Sequence, residues 1–81
     1  MKLNKTLDLM CSEDYKDRFR AEYYQLENRC VGLEQMLIKY QDGTLPFTPN
    51  CSYDLLNGQL KAMEVYRSYL DERAVIEGVE L

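Results

Sequence analysis

SYDLLNGQLKAMEVYRSYLDER, residues Ser52 to Arg73, is the stretch whose reading decides the fold. Its apolar positions Leu56, Leu60, Met63, Tyr66 and Leu70 recur every three or four residues. That period places one apolar side chain per turn along a single face of a helix. Ser52 is suited to cap its start, since a hydroxyl at that position accepts from free first-turn amides. Asp54 adds negative charge at the positive end of the helix dipole. Two residues break the pattern. Gly58 costs about 1 kcal/mol relative to alanine inside a helix, and such a glycine often permits close backbone approach, more commonly of another helix than of a ligand. Gln59 beside it suits either an amide bridge between subunits or plain solvent exposure.

Working back from Ser52, residues 43–51 hold both prolines and read as a loop, with Phe47 expected to cover one end of a helix pair. Before that loop a second helical pattern runs without proline from Ser12 to Tyr40. Tyr15, Phe19, Tyr23, Leu26, Cys30, Leu33, Leu37 and Tyr40 mark its stripe, alternating three and four beyond Tyr23 as in helices that pack nearly parallel or antiparallel. Ser12 is the expected cap, and Asp42-Gly43 the expected stop. Such a helix is about 42 Å long and needs a partner for its stripe. Residues 3–10 suit one or two turns with Leu3, Leu7 and Met10 on one side, and the acidic tail from Glu77 to Leu81 is expected to fray. The fold class is therefore all-α: a single domain over residues 1–81, with long antiparallel helices at about 13–41 and 53–76 forming a hairpin, and a short helix in front.

Composition narrows the function. The chain has 81 residues, and a core this small is marginal without disulfides, metal or partner chains. Cys11, Cys30 and Cys51 contain no Cys-x-x-Cys pair, so they read as reduced core residues rather than a disulfide framework or a zinc site. The absence of histidine removes the usual general base, the common nucleophilic triads and the commonest metal ligand. No glycine loop of the phosphate-binding kind is present, and the acidic residues form no metal motif, so no catalysis and no cofactor are expected. A net charge of −4 argues against duplex nucleic acid. No run reaches membrane-helix length, and Leu9-Met10-Cys11 lacks the hydrophobic region that precedes a lipoprotein box. With 46% hydrophobic residues, two helices leave apolar side chains such as Leu55, Ala62, Val65 and Tyr69 uncovered, which points to a homo-oligomer.

One polar row is a candidate site. Tyr15, Arg18, Glu22, Gln25 and Arg29 step by three and four down one side of the first long helix. Arginines fork onto phosphate oxygens and a tyrosine ring stacks on a base, so the row suits a nucleotide. The plain alternative is a solvated face stabilised by an Arg18–Glu22 pair. Most of the seven tyrosines sit at core-like spacing; Tyr66 reads as core-edge and Arg67 as pointing outward.

The spacing Leu55-Leu56-x-x-Gln59-x-x-x-Met63-x-x-Tyr66-x-x-x-Leu70-x-x-Arg73, after a long heptad-like helix and a phenylalanine-containing loop, resembles the second type of phage anti-CBASS proteins over residues 12–76. The resemblance implies a compact helical hexamer acting in the cytoplasm of the infected bacterium. It implies a sponge that binds cyclic di- and trinucleotide messengers uncleaved and keeps them from immune effectors. It also implies that an aromatic residue early in the first long helix and a basic residue further along grip a cyclic dinucleotide between protomers. Tyr15 stands at the first position and Arg29 is the nearest candidate for the second, where the family more often has lysine. A second-helix arginine for cyclic trinucleotides falls to Arg67 or Arg73. The rival reading is a helical adaptor that masks a host protein.

Overall fold

The computed structural model describes residues 1–81 and contains only helix and loop. A 3-10 turn at Leu3–Thr6 leads into α1 (Leu7–Met10), followed by α2 (Tyr15–Asp42) and α3 (Tyr53–Glu77). α2 and α3 pack along their length as a hairpin, and the molecule measures 43 × 24 × 17 Å.

The helix ends follow local chemistry. Ser52 caps α3, its hydroxyl accepting from the Leu55 amide at 3.1 Å. α2 starts later than the sequence suggests. Asp14 is its cap, with a carboxylate oxygen accepting from the Lys16 amide at 3.0 Å. Ser12 instead accepts from the Asp14 amide and donates to Asp17, tying the turn rather than the helix end. Gly43 ends α2 at φ 72°, with the Thr44 amide reaching back to the Lys39 carbonyl at 3.0 Å. Gly78 ends α3 at φ 70°, with the Val79 amide on the Ala74 carbonyl at 2.9 Å. Both are left-handed positions that glycine takes without a Cβ penalty.

The core is the seam between the long helices. Phe19, Leu26, Cys30 and Leu37 from α2 meet Leu60, Leu70 and Ala74 from α3, flanked by half-buried Tyr23, Leu33, Leu56 and Met63. The inward row of α3 runs Leu56, Leu60, Met63, Arg67, Leu70, Ala74, a regular four-three alternation. Keeping that alternation puts Arg67 at the half-buried position and turns Tyr66 out, 44% exposed, the reverse of the sequence expectation. Three other expectations fail. Val79 is 7% exposed and belongs to the core, while the Gly78 and Glu80 carbonyls accept from Lys16 and Arg20, so the tail is docked rather than frayed. Phe47 is 57% exposed, and the end of the pair is closed instead by Tyr40 and Tyr53, whose rings meet edge to face at 5.6 Å. Gly58 is not among them: the space around it is open within the chain, which leaves room for the close approach expected of another helix or a ligand. Of the cysteines only Cys30 is buried; Cys11 and Cys51 are exposed, and all three are free thiols.

The N-terminal segment lies on a second face of α2. Gln25 Nε2 donates to the Thr6 hydroxyl at 3.1 Å, which donates to the Leu3 carbonyl at 2.6 Å, and Asn28 Nδ2 donates to the Met1 carbonyl at 2.5 Å. Thr6 is the buried side chain here, 1% exposed, whereas Leu3, Leu7 and Met10 face outward.

Candidate functional site

Four residues of the polar row, Arg18, Glu22, Gln25 and Arg29, line one shallow hollow of about 280 Å³ together with Met10 and Tyr66. Helical spacing supplies the α2 wall, the N-terminal segment supplies Met10, and the outward turn of Tyr66 closes the far side. Arg18 spends one nitrogen, Nη1, on the Ser12 carbonyl at 2.8 Å, which holds the guanidinium at the rim. The pairing of Arg18 with Glu22 expected of a plain solvated face does not form; Glu22 accepts from the Tyr66 hydroxyl instead. Arg29 is exposed and takes part in neither of the two ion pairs, Arg20–Asp17 and Arg73–Glu77. The hollow therefore presents two guanidiniums with unspent donors beside a carboxylate already engaged by a phenol. That is an arrangement for receiving an anion.

Tyr15 lies outside this hollow, one turn nearer the helix start, where it meets Arg73 and Glu77 of α3. Its hydroxyl donates to Glu77 Oε1 at 2.8 Å and accepts from Arg73 Nη2 at 2.7 Å, while Arg73 Nε donates to Glu77 Oε2 at 2.9 Å. The three groups form a closed ring of hydrogen bonds, and the Arg73 guanidinium lies 5.2 Å from the centre of the Phe19 ring, within cation–π range. The bond to Glu77 pushes the Tyr15 phenol above its ordinary range, and the bonds from Tyr15 and Arg73 hold the Glu77 carboxyl below its own. The bond to Glu77 likewise raises the Arg73 guanidinium.

Arg67 stands apart from both groups. It is half-buried in the α2–α3 seam, close enough to Tyr23 and Cys30 for its charge to act on both. Burial nevertheless dominates there: it is the main reason that the Tyr23 phenol is pushed up to about 12 and that the Cys30 thiol is raised. The structure thus joins Arg18 to Arg29 and Tyr15 to Arg73, and leaves Arg67 with neither. Sequence reading missed Glu77 and Tyr66 as members of these clusters. Glu77 was legible as the carboxylate four residues after Arg73. Tyr66 was not, because its direction depends on which of two neighbouring residues continues the inward row.

The hairpin carries two cationic side chains, Arg18 and Arg29, on one face of α2 beside a shallow hollow, an arrangement suited to holding an anionic ligand. Residues 13–76, most of the chain, match the Sequestin family. The protein belongs to that family, whose members sequester cyclic nucleotides on behalf of phages. Its role is accordingly one of binding and sequestration. No curated protein and no solved structure matches the chain.

Proposed function

We propose that the protein is an immune-evasion sponge that holds cyclic di- or trinucleotide second messengers intact in the cytoplasm of an infected bacterium and so starves CBASS-type effectors of their signal. The observation that carries this reading is the α2 hollow, where Arg18 and Arg29 offer unspent guanidinium donors on a rigid helix. A cyclic dinucleotide brings two phosphates and two bases, and each guanidinium forks onto phosphate oxygens. Tyr15 adds a ring for stacking, and Arg73 is a second cation that a phosphate reaches by displacing Glu77. By the family resemblance, Arg67 or Arg73 of α3 is the candidate for a separate trinucleotide site formed where copies meet. Because rigid helices present these groups, little ordering entropy is lost on capture.

The reading includes a homo-oligomer, a hexamer by family resemblance. An assembly with two-fold axes would pair two copies of the hollow in keeping with the approximate symmetry of a cyclic dinucleotide. No helix is long and apolar enough to cross a membrane. Native mass spectrometry against a panel of cyclic di- and trinucleotides tests the proposal. Mass shifts equal to whole ligands, with intact ligand released on denaturation, support it. Linearised product would mark an enzyme, and no uptake of any ligand would favour an adaptor that masks a host protein.

A further inference from the structure

The N-terminal segment is inside out. Its one fully buried side chain is a threonine, and its apolar residues Leu3, Leu7 and Met10 are 49%, 57% and 48% exposed. Burial of apolar surface drives docking, so a short amphipathic segment ordinarily docks with the opposite face inward. Here the Thr6–Gln25 and Met1–Asn28 hydrogen bonds fix the reverse orientation. The outward face lines a groove of about 630 Å³ floored by Gln25 and Arg29. That is within the range of about 300–1,000 Å³ typical of small-molecule sites. Met10, Gln25 and Arg29 are shared with the arginine hollow, so groove and hollow adjoin.

We propose that Leu3, Leu7 and Met10 form a base-binding wall, which takes a purine base of the nucleotide whose phosphate lies on Arg29. This rests on the sponge reading above and extends it to residues outside the polar row. Three features select a base rather than a plain apolar group. Arg29 sits at the junction, so the occupant is amphiphilic, apolar on one side and anionic on the other. Flat leucine and methionine surface receives the face of a base, and the methionine sulfur is polarizable. Gln25 spends its amide nitrogen on Thr6 and Met10, so its amide oxygen is left to accept from the amino or imino hydrogen of a purine edge.

The chain has no tryptophan, so Leu7→Trp in the full-length protein gives a single reporter on the wall. Calorimetry and tryptophan emission are followed together during titration with purine cyclic dinucleotides, with inorganic phosphate as the control. Binding heat accompanied by quenching, and no quenching by phosphate alone, is the expected result. Binding heat with unchanged emission would overturn the wall and leave the sponge reading standing. No binding heat from any cyclic di- or trinucleotide would overturn both. An emission blue shift that follows protein concentration and ignores ligand would mean that a second copy covers the face, which also overturns the wall. Leu7→Ser with Met10→Ser is expected to weaken cyclic-dinucleotide binding roughly tenfold, the order of one lost base stack.

Discussion

The Tyr15 hydroxyl ties the start of α2 to the end of α3 through two hydrogen bonds, to Glu77 and from Arg73, and a third bond joins Arg73 to Glu77 within α3. Glu77 carries the pH signature. Its folded-state carboxyl titrates below its ordinary value of 4.5, so its contribution to stability is complete above that pH and is lost as pH falls through the depressed value. The melting-temperature gap between wild type and Glu77→Gln should therefore be constant near neutrality and close in acid. A gap independent of pH would contradict the ionised ring. Glu77→Gln should also strengthen cyclic-dinucleotide binding by freeing Arg73, as calorimetry would read. Arg29→Ala should weaken that binding roughly tenfold or more, the scale of a charged hydrogen bond, without changing the oligomer. Thiol titration offers a separate check. Cys11 and Cys51 should react promptly at neutral pH, whereas Cys30, buried and with a raised thiol, should react only on unfolding.

At the scale of elements, the caps and the seam hold the hairpin. Ser52→Ala should cost about 1 kcal/mol through the lost bond to the Leu55 amide. Leu70→Ala should cost about 2–5 kcal/mol, since Leu70 is 1% exposed in the middle of the seam. Chemical denaturation measures both, and a Leu70→Ala loss below that of Ser52→Ala would contradict the packing described. Most of this level was legible in the sequence. The stripes on both helices, the Gly43 stop and the Ser52 cap all follow from local periodicity and turn chemistry. What escaped was set by long-range partners. Tyr66 and Arg67 exchange places because the seam keeps a strict alternation that either residue satisfies locally. The tail docks because Lys16 and Arg20 hold carbonyls some 60 positions away in sequence. The orientation of the N-terminal segment was not legible because the partners of Thr6 and Met1, Gln25 and Asn28, lie some twenty or more positions away on α2. In the site, the four-residue row along α2 was readable, since helix geometry alone places it; the split of Tyr15 from Arg18 and Arg29 was not, because Arg73 and Glu77 come from the other helix.

For the whole molecule, only ten of 81 residues are buried, and the proposed homo-oligomer would cover the outer face of α3. Leu55, Gly58, Ala62, Val65 and Tyr69 step by three and four along the outside of α3, and Leu55, Val65 and Tyr69 are 63%, 55% and 63% exposed. Open space at Gly58 leaves room for close approach of another helix. This row is where copies of the chain are expected to meet, and Val65→Glu combined with Tyr69→Glu should lower the mass seen by light scattering; an unchanged mass would place the contact elsewhere. Sequestration itself is tested most directly by native mass spectrometry of the full-length protein with cyclic dinucleotide, followed by denaturation and recovery of the ligand. The account predicts an assembly that takes up whole ligands and returns them chemically intact. A monomer that ignores every cyclic nucleotide offered, or one that returns linear product, would contradict it.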